Sequence, residues 1–457
     1  MGNEESFFKK AKRRKKMILQ PVQILAIGFA LVILIGAIIL TLPISSAANK
    51  ATNFVDCLFT STSSVCVTGL ITKDTATYWS TFGQCVIIIL IQVGGLGFMS
   101  FATLVFMLVG KKITLKERLV MQEAMNSLTL QGLVKMTKYI LIFTFSIEGI
   151  GVMILATQFI PDFGLGKGIA YSVFHAISAF CNAGFDLMGN FSSLTSYYDN
   201  SVVIMTISFL IISGGLGFYV WNELYHHRES SRFTLHTKLV LITTFILIVG
   251  GAIFMFVFER NNVQTLGPMN IKDKVVNATF ASVSPRTAGF NSIALDKMTV
   301  GGKFLTTVLM FIGGSPGSTA GGIKTTTLIV LIFAMISTIR CREDVEICHK
   351  RITKDIVYKA ILVAIMSFLL IISATFALAI TEHGFNLEQI VFEVVSAFGT
   401  VGLTLGITPE LSSMGKIVIA ICMYFGRLGP LTIILAFSSR RSIKGKIKYP
   451  EEKILVG

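Results

Sequence analysis

Four short segments of this sequence share one pattern, a run of mostly small residues that ends in a glycine followed by Leu or Phe. Their glycines are 115, 105 and 113 residues apart, which indicates a repeat of about 110 residues. A dehydrated cation needs oxygen ligands that replace its water, and backbone carbonyl groups from four such loops supply them without a fixed charge. Because glycine has no Cβ, it reaches backbone conformations that let the preceding carbonyls point inward. The segments are Ser63–Leu70, Ser178–Phe185, Val283–Phe290 and Ser396–Leu403.

The predicted ion ligands are the backbone carbonyls of the three residues before each glycine, and the glycine holds their geometry. A glycine after a helix most often only ends that helix, so one copy alone would favour a helix cap. Four copies in matching context favour a shared ion site. Arg286 is the exception, because a cation beside a cation site is unfavourable, and we expect its side chain to point away from the pathway. The predicted site comprises Cys66, Val67, Thr68, Gly69, Cys181, Asn182, Ala183, Gly184, Arg286, Thr287, Ala288, Gly289, Gly399, Thr400, Val401 and Gly402.

The elements that must position these segments follow the same order in each repeat. A long apolar helix comes first, then a shorter segment ending at the glycine, then a polar stretch and a second apolar helix. Segments such as Asp56–Val67 and Leu387–Gly399 are too short to cross a bilayer, so each is predicted to be a half-membrane helix that enters from outside. Their C-terminal ends, which carry partial negative charge, would face the ion. Non-helical backbone at membrane depth must be buried or line an aqueous cavity, so four such returns need a shared cavity.

The composition places the chain in lipid. Of its 457 residues, 53% are hydrophobic and 14% charged, whereas a soluble domain has roughly 25% charged residues. The apolar runs predict an all-α integral membrane protein with four tandem helix, pore loop, helix repeats, eight transmembrane helices in all, around a pseudo-fourfold central pore. The predicted units are a basic tail at 1–16, repeats at 17–110, 111–221, 222–340 and 341–441, and a tail at 442–457.

The net charge of +15 comes largely from Lys and Arg clustered between crossings, with 28 of the 40 at alternate helix ends. By the positive-inside rule, this pattern places both termini in the cytoplasm. It favours topology signals with some attraction to anionic lipid over contact with nucleic acid. The first apolar run is longer than the core of a signal peptide, so we predict an uncleaved first helix.

The seven cysteines are scattered and predict no disulfide framework. The grouping of Cys341, Cys348 and His349 has only a weak resemblance to a zinc site. No metal other than a transported cation is therefore expected.

The second helices carry a recurrent glycine motif, found at Gly94–Phe98, Gly214–Phe218, Gly313–Gly317 and Gly426–Pro430. Glycines in such helices usually allow close packing. Their recurrence in four registers indicates that these helices converge on one axis.

The stretch Gly313–Thr327 interrupts the second helix of the third repeat, because glycine and proline oppose a helix interior. Its Gly322-Ile323-Lys324-Thr325 end departs from a phosphate-binding loop, since Ile323 separates glycine from lysine. The stretch could be a passive kink, but we favour a mobile gate below the carbonyl ring. Arg427, an intramembrane charge in the matching region of the fourth repeat, could form an electrostatic barrier or pair with a carboxylate or with helix carbonyls. The predicted gate comprises Gly313, Gly314, Ser315, Pro316, Gly317, Ser318, Thr319, Ala320, Gly321, Gly322, Lys324 and Arg427.

The fourfold arrangement and its glycine segments resemble the Trk/Ktr/HKT superfamily of cation transporters, and most of all the membrane subunit of bacterial Ktr. The resemblance extends from about Gln20 to Arg441. It implies potassium uptake across a bacterial cell membrane by a homodimer in which each protomer has its own pore. It also implies an intramembrane gate and a cytosolic ring of regulatory subunits that bind NAD(H) or ATP/ADP, with no organic cofactor in this chain.

Two alternatives stay open. A sodium-conducting or sodium-coupled member of the same superfamily often has Ser in place of the first filter glycine, so the presence of Gly69 favours potassium. An intramembrane enzyme acting on lipid or isoprenoid would need clustered acidic or His residues at membrane depth. The long helices offer little beyond isolated Glu148, so we expect no enzymatic activity.

The charge pattern makes a testable prediction about topology. On a cysteine-free background, single cysteines at positions Lys112 and Arg351 are expected to resist an impermeant thiol reagent in intact cells. Cysteines at Lys73 and Lys297 are expected to react, because those loops face outside. Labelling at 112 or 351 in intact cells would overturn the orientation.

Overall fold

The computed structural model describes residues 20–97, 99, 101–103, 113–124, 132–226, 233–437, 450 and 452. The predicted basic tail at 1–16 lies outside the described residues, as does nearly all of the tail at 442–457. The helices are α1 Pro21–Thr41, α2 Phe54–Cys66, α3 Thr81–Leu96, α4 Leu115–Ala124, α5 Leu133–Phe163, α6 Leu165–Phe180, α7 Ser201–Gly215, α8 Phe218–Tyr225, α9 Leu235–Glu259, α10 Ile271–Val283, α11 Val300–Phe311, α12 Thr325–Ile339, α13 Lys354–Thr381, α14 Leu387–Gly399, α15 Ser413–Leu428 and α16 Pro430–Phe437. Short 3₁₀ turns lie at Pro43–Ser45, Thr195–Tyr197 and Thr408–Glu410, and strands β1 (Val345–Ile347) and β2 (Lys350–Ile352) form an antiparallel hairpin.

Four helices in the described part of the chain are long and apolar enough to cross a membrane, namely α1, α5, α9 and α13. They coincide with the predicted first helices of the four repeats. Their outward faces carry large apolar side chains that are more than half exposed, such as Ile38 (59%), Met153 (65%), Phe245 (68%) and Phe376 (66%). Such continuous exposed apolar surface is stable in contact with lipid rather than water.

The second helices are shorter than the sequence predicts. Helices α3, α11 and α12 have fewer than 18 residues, and α7 with α8 would make a further span only as a pair bent by 95°. The sequence prediction of an interruption in the third repeat is confirmed, because α11 ends at Phe311 and α12 begins at Thr325. The second helices of the other three repeats are interrupted as well, which was not predicted from the sequence.

The additional breaks occur at glycines with left-handed backbone conformation. Helix α3 ends before Gly97 (φ 79°), α7 before Gly217 (φ 91°) and α15 before Gly429 (φ 84°). Residues with a Cβ rarely adopt these angles, so glycine at these positions permits the chain to change direction. The recurrent glycine motif therefore ends the second helices as well as allowing them to pack closely.

The start of each second helix is fixed by a polar residue at its N-cap, where an unpaired backbone N–H needs an acceptor. Ser80, Thr299 and Ser412 accept a hydrogen bond with their hydroxyl oxygen, and Asn200 accepts with its amide oxygen. In α15, for example, Ser412 Oγ accepts from the N–H of Gly415 at 3.1 Å. These caps define where the polar stretch after each half-helix ends.

The buried core surrounds the short helices that precede the glycine segments. Phe59 and Phe398 belong to one large cluster around α2 and α14, and Phe180 and Phe280 belong to another around α6 and α10. All four rings are at most 1% exposed. Burial toward their C-terminal ends holds the half-helices, which are too short to be stable alone.

The first and fourth repeats are far apart in sequence, and polar contacts join them. Lys416 Nζ lies 2.8 Å from Asp56 Oδ1, with side-chain exposures of 14% and 11%. Tyr424 donates a hydrogen bond to the carbonyl of Ala26 at 2.7 Å, and Gln23 Nε2 donates to the carbonyl of Ala436 at 2.8 Å. This seam closes the chain into a ring of repeats.

The seam generates a stability prediction. Lys416→Met leaves the Asp56 carboxylate largely buried and unpaired, so it is expected to destabilise the protein by about 3 kcal/mol. The double variant Asp56→Asn/Lys416→Met is expected to lose less than the sum of the two single variants. Thermal unfolding in detergent measures both effects.

The matched control is the exposed ion pair between Arg351 and Asp344, where the Arg351 side chain is 67% exposed. Asp344→Asn is expected to cost less than about 1 kcal/mol, as exposed pairs usually do. A Lys416→Met variant as stable as Asp344→Asn would contradict the role given to the seam.

Candidate ion-binding site

The four predicted glycines meet in a closed ring. A Cβ added to any one of them would lie within 3.0 Å of a backbone carbonyl oxygen of the next repeat, so no side chain fits. The contacts run in sequence order around the ring, from the first repeat to the second, third and fourth and back to the first. The pairs are Gly69 with Ala183, Gly184 with Ala288, Gly289 with Val401, and Gly402 with Thr68.

The backbone conformation alternates in the same way in all four segments. The residue two before each glycine has a positive φ, at Val67 (57°), Asn182 (59°), Thr287 (78°) and Thr400 (51°). The glycines also have positive φ, between 70° and 93°. Left-handed conformations at alternate residues turn successive carbonyl groups toward the same side of the chain. Because each non-glycine residue in this conformation costs roughly 1–3 kcal/mol, the surrounding structure must hold all four.

Each half-helix ends at or before the first predicted carbonyl ligand of its segment. Helices α2, α6, α10 and α14 end at Cys66, Phe180, Val283 and Gly399. The partial negative charge of a helix C-terminus therefore lies close to the first predicted carbonyl ligand of every segment. This arrangement favours a cation among the carbonyl groups without any carboxylate.

A serine near the end of each half-helix braces its segment. Ser63 Oγ accepts from the N–H of Gly69 at 3.0 Å, and Ser396 Oγ accepts from that of Gly402 at 3.1 Å. In the second and third repeats, the hydroxyl instead donates to the carbonyl after the glycine. These bonds join Ser178 to Phe185 at 2.7 Å and Ser284 to Phe290.

These serines were not predicted as site residues from the sequence. The sequence pattern that could have identified them is a serine at a similar distance before each glycine. The distance is six residues in the first, second and fourth repeats and five residues in the third repeat. The direction of each hydrogen bond depends on the folded backbone, so spacing alone would not reveal it.

The recurrent glycines of the second helices lie against the ends of the half-helices. A Cβ on Gly94, Gly214 or Gly426 would collide with the carbonyl that ends the half-helix of the same repeat, at Val65, Phe180 and Phe398. In the third repeat, Gly313 meets the carbonyl of Gly321 in the interrupting loop. The loop thus occupies the place that a half-helix end takes in the other repeats.

The loop of residues 312–324 is held mainly by the second repeat. The N–H groups of Ser315 and Thr319 donate to the carbonyls of Gly215 and Gly214 at 3.0 and 3.2 Å. Thr319 Oγ1 donates to the carbonyl of Phe180 at 3.2 Å. The sequence predicts a mobile loop, and these contacts define the position from which it would move.

The same loop reaches the glycine ring. A Cβ on Gly321 would collide with the side chain of Thr400, and Gly322, with φ 63°, lies against Gly399. Both neighbours belong to the fourth segment of the predicted ion site. The structure therefore brings the predicted gate residues into direct contact with the predicted ion ligands.

Arg427 joins three repeats. Its guanidinium donates to the carbonyl of Thr319 in the loop, to that of Gly94 and, at 3.3 Å, to that of Gly95 in the first repeat. The sequence left open whether Arg427 pairs with a carboxylate or with carbonyl groups. In the structure, carbonyl groups bind its guanidinium. Lys324 Nζ also donates to a loop carbonyl, that of Ala320, at 2.6 Å.

Arg286 is buried, with 7% of its surface exposed. Its Nε has no hydrogen-bond partner among the described residues. The expectation that its side chain points away from the pathway stays a prediction.

Comparisons with known proteins identify the family of this chain. The family model described as TrkH, cation transport protein, matches residues 4–444. The chain is 44% identical over 450 residues to the potassium/sodium uptake protein NtpJ of Enterococcus hirae, covering 98% of this chain and 99% of that protein. It is 45% identical over 437 residues to the Ktr system potassium uptake protein B of Bacillus subtilis, with coverages of 96% and 97%.

A likeness to a solved structure concerns the fold alone. The crystal structure of the potassium transporter TrkH from Vibrio parahaemolyticus matches with a TM-score of 0.72 at 16% identity, covering 93% of this chain and 87% of that one. The match over nearly the whole length and the high identity to two curated relatives decide the assignment. This chain belongs to the TrkH family of cation transport proteins.

Proposed function

We propose that this chain is the channel-like, potassium-translocating subunit of a Ktr-type uptake system in a bacterial cell membrane. The observation that carries the proposal is the closed ring of four glycines, in which each glycine touches the carbonyl that precedes the glycine of the next repeat. A ring of carbonyl dipoles replaces the hydration shell of potassium at no cost in fixed charge. The relatives named as potassium uptake proteins support the same ion.

The proposed selectivity filter consists of the four segments that end in Gly69, Gly184, Gly289 and Gly402. Potassium binds to the carbonyls of the three residues before each glycine as substrate. The alternating backbone supports this assignment, because left-handed residues at matched positions orient carbonyls alike. Sodium is the second candidate ion, favoured by the name of the Enterococcus hirae relative, a potassium/sodium uptake protein.

The proposed architecture has eight crossings arranged around a pseudo-fourfold axis. Each first helix forms one crossing, and each broken second helix forms another together with its continuation. The exposed apolar faces of the four long helices support a lipid boundary around the outside. The proposal includes the limits of the four repeats and two tails that the sequence predicts. It also places both termini in the cytoplasm.

The loop of residues 312–324 is the proposed gate, with Arg427 and Lys324 holding it closed. Its contacts with Thr400 of the fourth segment and with Arg427 support this role, because they place the loop against the proposed filter. A gate must occupy two states separated by only a few kcal/mol, since a regulator shifts populations by no more than its differential binding energy. A loop outside regular helical structure meets that condition more easily than an unbroken helix.

The proposed assembly is a homodimer with one pore in each protomer, regulated by a cytosolic ring that binds nucleotides. The names of two relatives as parts of a Ktr system support a partner subunit. The partner would act on the cytoplasmic ends of the second helices and so on the gate.

The filter assignment predicts the effect of a side chain at the ring. Gly184→Ser adds atoms where a Cβ already meets the carbonyl of Ala288, at a φ of 70°. It is expected to lower the ratio of potassium to sodium uptake about tenfold or more, since displaced carbonyls stabilise potassium less well. Ion flux into liposomes that contain the purified chain measures the ratio.

The control for this experiment is Gly250→Ser in helix α9, where an added Cβ meets nothing within 4 Å. It is expected to keep the wild-type ratio. Serine variants at Gly69, Gly289 and Gly402 test the other three repeats. Wild-type selectivity in all four ring variants would show that the filter is elsewhere.

The gate assignment predicts that changes in the loop open the pathway. Deleting Ser318 to Gly321 removes the contact with Thr400 and the carbonyl that Arg427 binds, so basal flux is expected to rise several-fold. Gly321→Ala is the smaller test, because its methyl group would collide with the Thr400 side chain. Both variants are expected to depend less on a cytosolic regulator.

The deletion variant must first elute as a folded protein of wild-type size, because a collapsed variant would also lose regulation. Folded variants with unchanged flux would favour a passive kink over a gate.

A further inference from the structure

Helix α5 carries a buried carboxyl group that the proposed ion pathway does not use. Glu148 is the central residue of α5 and is 4% exposed. Its two carboxyl oxygens lie 3.2 and 3.3 Å from Nε2 of Gln92, a residue of α3 in the first repeat. An ionisable group at membrane depth is costly to bury, so its presence calls for a function.

The Gln92 amide connects Glu148 to the proposed filter through a second hydrogen bond. Its carbonyl oxygen accepts a hydrogen bond from Cys181 Sγ at 3.4 Å. Cys181 is the first of the three predicted carbonyl ligands in the second segment and is fully buried. The amide is therefore oriented from both ends, with its N–H group toward Glu148 and its oxygen toward Cys181.

Cys181 has little freedom to move away from this contact. A Cβ on Gly95 would lie 2.5 Å from Cys181 Sγ, so the thiol already fills the space beside α3. The next residue of the segment, Asn182, has a positive φ of 59°. The thiol is thus fixed one residue before a strained point in the filter backbone.

The other three repeats have no glutamine at the position that corresponds to Gln92. The residues two before the first recurrent glycine, which correspond to Gln92, are Ile212, Phe311 and Tyr424. Phe311 packs against Phe398, with ring centroids 6.4 Å apart, and Tyr424 donates to the carbonyl of Ala26. The polar chain is thus particular to the boundary between the first and second repeats.

We propose that Glu148 and Gln92 are positioning residues for the second filter segment, which they hold through the thiol of Cys181. Neither side chain contacts the proposed pathway, so both act through Cys181 on the carbonyls that follow it. The inference rests on the proposed potassium filter, and it adds a specificity-determining contact outside the four segments. It makes the geometry of the second segment depend on a membrane-embedded carboxyl group.

The test compares variants that break the chain at different points. Gln92→Leu removes both hydrogen bonds, and Cys181→Ala removes the thiol. Each is expected to lower the ratio of potassium to sodium uptake by liposomes about fivefold, the effect of losing one hydrogen bond. The double variant is expected to lower the ratio no further, because both changes interrupt the same contact.

Variants of Glu148 separate positioning from charge. Glu148→Gln keeps an oxygen that accepts from Gln92, so it is expected to keep the wild-type ratio. Glu148→Leu is expected to match Gln92→Leu. Tyr424→Phe, which removes the corresponding side-chain hydrogen bond in the fourth repeat, is the control and is expected to leave the ratio unchanged.

Several results would overturn the inference. They are wild-type ratios in folded Gln92→Leu and Cys181→Ala protein, additive effects in the double variant, or a Glu148→Gln variant that behaves like Glu148→Leu. If the leucine variants do not fold, Cys181→Ala carries the test alone, since it leaves both helices unchanged. Wild-type protein without potassium uptake would overturn the proposed function as well, whereas selective wild-type uptake with unchanged variants would overturn only the inference.

Discussion

The structure depends on four backbone contacts at which no Cβ can be accommodated. Gly69, Gly184, Gly289 and Gly402 each touch a carbonyl of the next repeat, so the four segments approach as closely as bare backbone allows. Close approach brings carbonyl oxygens together, and their mutual repulsion disfavours the arrangement unless something positive lies among them. We therefore propose that the ring is most stable with a cation bound, which would link the fold directly to transport.

The remaining elements hold this arrangement in place. Buried half-helices end at the ring, and serines brace its backbone at Ser63, Ser178, Ser284 and Ser396. Second helices lie against the half-helix ends through their own glycines, and the seam between Asp56 and Lys416 joins the last repeat to the first. The third repeat differs, because its second helix is replaced for 13 residues, 312–324, by a loop that contacts both the ring and Arg427.

Sequence reasoning reached the parts of this structure that recurrence makes visible. The four glycine segments, the long first helices and the break between Phe311 and Thr325 all follow from spacing and composition. The left-handed conformation of Val67 could not be predicted, because β-branched residues rarely adopt it and only tertiary contacts impose it. The same holds for the ends of α3, α7 and α15, where glycine alone does not distinguish close packing from a break. The carbonyl partners of Arg427 come from other repeats, and sequence gives no measure of that proximity.

The central claim is that a dehydrated cation binds among the carbonyls of the four segments. Anomalous diffraction from crystals grown with thallium(I), a heavy substitute for potassium, tests it most directly. The account predicts an anomalous peak inside the ring, within coordination distance of the carbonyls that precede Gly69, Gly184, Gly289 and Gly402, and its loss when potassium replaces thallium. A ring without a peak at saturating thallium, or thallium bound only at carboxylates elsewhere, would contradict the account.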